Sequence, residues 1–192
     1  MTAPVDRRTV LLGLAAGLAA PAIGFGADVP VGSTRVIVEL LAYRQAGALP
    51  RPNGVPPLPN VSTIAGRVEP LGRDALQMSS AREAIAGRGG LHVLAHTAWA
   101  AIVPPNGRTT ALMDDVLPAD APLAGGIAVQ RSQYLFLFVD VDFTSGGSSY
   151  GIRMKRRIKF GERHYFDHPA FGLIVQVRPT KDTPATEKPD PG

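Results

Sequence analysis

The chain has 192 residues, 20 Lys+Arg against 16 Asp+Glu for a formal charge of +4, and no cysteine. The missing cysteine excludes disulfide staples, thiolate metal sites, a cysteine nucleophile and the lipid-bearing cysteine of a bacterial lipoprotein. The length suits one domain held together by apolar burial.

Arg7-Arg8 lead into an uncharged run from Val10 to Ala20 that stops at Pro21. Paired arginines before a short apolar stretch predict a cleavable signal peptide of twin-arginine type over residues 1–26. The run is far shorter than the ~20 residues a membrane-spanning helix needs, and no later segment could span a bilayer. Loss of Asp6, Arg7 and Arg8 leaves 18 − 15 = +3, so most of the basic character belongs to the exported part. The expected location is the periplasm, which rules out nucleic acid as a partner.

Ser33–Tyr43 is β-branched and partly alternating, and predicts a first strand. From Ala46 to Ser62, Pro50, Pro52, Pro56, Pro57 and Pro59 forbid helix and central strand alike. Leu71, Ala75, Met78, Ala81 and Ile85 recur at helical spacing until Gly87, Gly89 and Gly90 stop the run. Leu91–Ala101 predicts a second strand, and one helix between two strands predicts a right-handed crossover with those strands parallel. Pro104–Leu123 is again rich in breakers. Gly126–Arg131 and Tyr134–Phe143 predict a strand pair joined at Ser132-Gln133, and Gly146–Ser149 a second tight connection into a strand over Tyr150–Phe160. Leu173–Arg178 is the last predicted strand, and the polar tail 180–192 has no apolar anchor and is expected to be disordered. The predicted fold is one α+β domain over residues 27–179: a mostly antiparallel sheet of about six strands with a helix packed on one face.

The stretch from Arg153 to Pro169 holds most of the chemistry. Period-2 geometry puts Arg153, Lys155, Arg157 and Lys159 on one strand face, and Ile152, Met154, Ile158 and Phe160 on the other with Arg156 among them. Four cations on one face are either a solvated sheet edge or an anion-attracting surface. Arg156 on the apolar face needs a partner, and of Asp167, Glu162, Asp140 and Asp142 the first is the expected one. His164, Asp167 and His168 fall together before Pro169, which points to a turn. They suit a hydrogen-bonded structural turn, a zinc site joined by His96, or a base with its orienting group. Trp99 is expected in the core, and Tyr165 and Phe166 beside the turn as an aromatic surface.

Arg156-Arg157-Ile158-Lys159-Phe160-Gly161-Glu162-Arg163-His164-Tyr165-Phe166-Asp167-His168-Pro169-Ala170-Phe171-Gly172 resembles the RRM-x-SGE-x-HY-x-DHP-x-FG signature of the CsiV peptidoglycan-binding family. Leu94-Ala95-His96-Thr97-Ala98-Trp99 is similar to its L-x-H-x-AW segment. The chain departs from the pattern at Phe160, Arg163 and Ala100. The resemblance implies a non-enzymatic periplasmic protein without a cofactor. Such a protein binds peptidoglycan and supports cell-wall synthesis and cell shape, in association with a class A penicillin-binding synthase and its outer-membrane lipoprotein activator. Arg153, Lys155, Arg157, Lys159 and Tyr165 are the residues expected to meet the wall, with charge-assisted bonds to its carboxylates and stacking on its sugars. Arg156, His164, Asp167 and His168 are expected to order the turn. The competing reading is a metal-dependent periplasmic hydrolase built on His96, His164, Asp167 and His168.

Overall fold

The computed structural model describes residues 29–47, 49–51 and 68–180. The expected signal peptide, most of the proline-rich segment and the expected disordered tail beyond Thr180 lie outside the described residues. Along the chain come β1 (Thr34–Gln45), β2 (Val68–Leu71), a 3-10 turn (Arg73–Ala75), α1 (Ser79–Ala86), β3 (Leu91–Val103), β4 (Arg108–Leu112), α2 (Met113–Val116), β5 (Leu123–Arg131), β6 (Leu135–Ser145), β7 (Ser148–Ile158), β8 (Arg163–Asp167) and β9 (Phe171–Pro179). They form a five-stranded sheet in the order β2-β3-β1-β9-β8 and a four-stranded sheet in the order β4-β5-β6-β7. Every pairing is antiparallel.

The α+β expectation is therefore wrong. The described residues are 59% strand and 11% helical, in two sheets, with only one helix longer than a single turn or so. The helical spacing was deceptive because Leu71 closes β2, Ala75 ends the 3-10 turn, and only Ser79–Ala86 is α-helical. β3 itself runs antiparallel to β1, with Thr34 opposite Val103 and Gln45 opposite Leu91, and β2 pairs with its other edge in the same direction as β1. The parallel crossover is overturned with it. Two short strands, β4 and β8, stand where breakers and a turn were expected.

Alternation along the strands builds one core between the sheets. Val36, Val38, Leu40, Trp99, Leu173, Val175 and Val177 meet Ile127, Val129, Leu137, Val139, Val141 and Ile152 across it. Fully burying an aliphatic or aromatic side chain of this size contributes ~1.5–3 kcal/mol, which is how a cysteine-free chain holds two sheets together. On the outer face of the five-stranded sheet, Met78 and Ile85 close a smaller cluster over Leu41 and Ile174. Gly161, at φ +80, makes the tight step from β7 to β8. Among the described residues no helix is long and apolar enough to cross a membrane.

Candidate functional site

The outer face of the four-stranded sheet carries a cluster of cations and rings. Cross-strand register sets Lys155 opposite Phe138 and Arg157 opposite Phe136, while Gln130 links Phe136 to Arg108 across β5. The Lys155 ammonium lies 4.6 Å from the Phe136 ring centre and 5.2 Å from that of Phe138. The Arg157 guanidinium covers Tyr134 at 3.4 Å, and that of Arg108 covers Phe138 at 4.1 Å. Burial lowers the Arg108 pKa from its ordinary value, and its Nη2 donates to Gln130 Oε1 at 3.0 Å. Cations over ring faces stack without an acidic partner and leave hydrogen-bond donors pointing outward. Tyr134, Phe136, Phe138 and Arg108 were not foreseen. The alternation of Tyr134, Phe136 and Phe138 along one strand was their available signal.

Arg153 and Lys159 behave differently from their neighbours. The Arg153 side chain is 6% exposed, with Nε 2.6 Å from Asp140 Oδ1 and Nη2 2.7 Å from Asp142 Oδ2. It is the buried cation of β7. Lys159 lies beyond the strand end, open to solvent and 3.7 Å from Glu162 Oε1.

Arg156 is exposed rather than buried, and Asp167 is not its partner. Its Nη1 donates to the Tyr165 carbonyl at 2.9 Å, and its guanidinium lies 4.8 Å from the Phe166 ring centre. β7 and β8 are the edge strands of the two sheets, so Arg156 clips one sheet to the other. Asp167 instead accepts a 2.7 Å bond from the Tyr43 hydroxyl, whose pKa is pushed up by burial and then by Asp167. Gly172 is what admits Tyr43: a Cβ there would come within 2.4 Å of the tyrosine ring and hydroxyl.

The residues His164 to Asp167 are strand, and the turn begins at His168. His168 N donates to Phe171 O and Phe171 N donates back to His168 O, at 2.9 and 3.1 Å. Its Nδ1 accepts from Ala170 N at 3.1 Å, and its ring packs between Tyr150 and Phe171. Burial holds its pKa below the ordinary imidazole value. His164 is lowered by burial too, with Glu162 opposing the shift and Arg156 adding to it.

Tyr165 is 51% exposed, but on the outer face of the five-stranded sheet, in register with Ile174. The surface expected to unite Lys155, Arg157 and Tyr165 is thus split between opposite sides of the sandwich.

Sequence reasoning missed the most deeply placed charge, Glu39. Its carboxylate is fully buried and takes bonds from Gln77 N at 2.9 and 3.0 Å, Met78 N at 2.7 Å and His96 Nε2 at 2.9 Å. Arg178 Nη2 approaches at 3.3 Å and also donates to Ala75 O at 2.7 Å. The sign was a lone acid in the apolar run VIVELLAY. Its donors come from the segment entering α1, so this carboxylate anchors the helix to the sheet. His96, engaged with Glu39, is separated from His164 by the two strands β1 and β9 and lies on the other face of the sheet. Among the described residues no three His, Cys, Asp or Glu side chains gather as a metal site, so the four hydrolase residues do not converge.

No curated protein and no solved structure matches the chain. A family model described as peptidoglycan-binding protein, CsiV, matches residues 35–180, from the second residue of β1 to the residue after β9. With its sequence signature, both sheets and the cation–aromatic face all inside that span, the chain belongs to the CsiV peptidoglycan-binding family.

Proposed function

We propose that the protein is a periplasmic, non-enzymatic peptidoglycan binder that supports cell-wall synthesis and shape, and that it holds the wall on the outer face of the four-stranded sheet. The observation that carries this reading is the stacking of Arg108, Lys155 and Arg157 on Tyr134, Phe136 and Phe138. Peptidoglycan offers apolar sugar faces and a regular array of carboxylates. The open parts of Tyr134 and Phe136 and the cations beside them answer both, by stacking and by charge-assisted hydrogen bonds, while Phe138 is buried beneath Arg108. The paired arginines and apolar run at the amino terminus support export. The family resemblance supports a class A penicillin-binding synthase and its outer-membrane lipoprotein activator as protein partners. The engagement of His96 with Glu39 and of Asp167 with Tyr43 supports a binding rather than a catalytic role.

Co-sedimentation with purified sacculi tests the surface. The wild-type chain should pellet at low salt and be released as salt rises, because screening weakens exposed charges. Lys155→Ala with Arg157→Ala should pellet far less than wild type while melting normally, since exposed charges contribute under about 1 kcal/mol to folding. Pelleting of that variant at the wild-type level would place the wall elsewhere.

A further inference from the structure

On the opposite side of the sandwich, α1 covers Leu41 and Ile174 through Met78 and Ile85 and stops short of the edge strand β8. A groove of about 370 Å³ runs between them, with Ala81, Ala84 and Ile85 on the helix side and Tyr165 and Ile174 on the sheet side. Its two charged lining residues are both cations, Arg88 just past the helix and Arg163 on β8. Neither guanidinium belongs to any of the ion pairs found among the described residues. The walls are fixed. The segment entering α1 is tied to Glu39, the Tyr165 carbonyl is held by Arg156, and the next outward residue on β8, Asp167, is held by Tyr43.

We propose that this groove is a second ligand site, which takes the carboxylate-bearing end of a short alanine-containing peptide, the stem peptide of peptidoglycan. The assignment rests on the peptidoglycan reading above and adds to it a separate surface and a separate part of the polymer. Two guanidiniums facing one groove match a ligand with more than one carboxylate, each able to take a paired N–H···O contact. The side chains of Ala81, Ala84, Ile85 and Ile174 suit the methyl groups of such a peptide, with the Ser80 hydroxyl beside them. The volume lies near the small end of the ~300–1,000 Å³ range of small-molecule sites, which suits a peptide end rather than a disaccharide with its peptide attached. Tyr165, half exposed at the rim, adds an aromatic wall and a hydroxyl. The protein would then hold glycan on one face and peptide on the other.

The test is titration of the full-length chain with a sugar-free stem tetrapeptide, followed by backbone amide NMR and calorimetry. Saturable binding is expected, with shifts gathered at α1, Arg88 and β8. Arg88→Ala and Arg163→Ala should each weaken it by about tenfold, Lys155→Ala should not, and a peptide with amidated carboxyls should bind at least about tenfold more weakly. Both arginines are exposed, and melting curves matching wild type would certify the variants as folded. Absence of saturable binding, indifference to amidation, or equal loss in Lys155→Ala would each overturn the groove. Glycan strands freed of peptide and coupled to beads separate the two ideas. If the beads retain the protein while the tetrapeptide does not bind, the groove fails and the wall-binding face stands. If the tetrapeptide binds while the beads do not retain the protein, the groove stands and the face fails.

Discussion

Glu39 on one outer face of the sandwich and the pair Lys155 and Arg157 on the other use charge in opposite ways. On the five-stranded sheet, Glu39 is fully buried under the segment that leads into α1, ringed by two backbone N–H groups, His96 and Arg178. On the four-stranded sheet, Lys155 and Arg157 lie exposed on aromatic rings, with no acid between them and solvent. A buried charge whose partner is removed is severely destabilising, whereas an exposed one is nearly neutral. Glu39 on the first face therefore belongs to folding, and Lys155 and Arg157 on the second are free to meet a ligand.

The sharpest way to break that contrast is Glu39→Ala. It leaves Arg178, His96 and the Gln77 and Met78 amides without their acceptor, and should lower stability by about 3–5 kcal/mol in chemical denaturation. A loss below about 1 kcal/mol would erase the distinction between the faces. Next comes a pair of arginines three positions apart on β7. Arg153→Ala removes a buried cation from between Asp140 and Asp142 and should approach the same range, while Arg156→Ala, exposed, should cost under about 1 kcal/mol. This reverses the order expected from alternation alone, and equal melting temperatures would contradict the structure.

The smallest expected effect is a pH dependence. Burial holds His164 and His168 below their ordinary 6.5. Between those depressed values and 6.5 the unfolded chain binds protons that the folded chain refuses, so stability is present above the window and lost as pH falls through it. Melting temperature should decline on acidification below about pH 6.5, and less steeply in His164→Asn with His168→Asn. A wild-type profile flat across that window would mean that neither imidazole is desolvated.

Sequence patterning revealed which residues share a strand face but not which faces are covered. Lys155 and Arg157 do project together, and Ile158 is buried. Yet Met154 and Arg156, opposite the buried Val139 and Leu137, are exposed because β7 is an edge strand. Arg153 is buried because Asp140 and Asp142 stand beside it on β6. The Glu39 anchor was hidden for a related reason: its ligands are backbone amides remote in sequence. β4 and β8 are too short to show a period of their own and are strands only because β5 and β9 pair with them. The core aromatic Trp99 and the β6–β7 hairpin were legible because local alternation and turn residues suffice there.

The placement of β1 has a kinetic consequence. Its neighbours are β3 and the last strand, with Val36 opposite Pro179 and Arg44 opposite Phe171. The first strand thus closes on the last, and a nascent chain lacking β9 exposes one whole edge of β1, with Val36, Val38 and Leu40 unshielded. Pairings this distant in sequence form slowly, because loop closure must precede any reward from contact. Folding of the five-stranded sheet therefore waits until β9 is available, and until then the β1 edge is the segment that a chaperone, or another copy of the chain, would meet first.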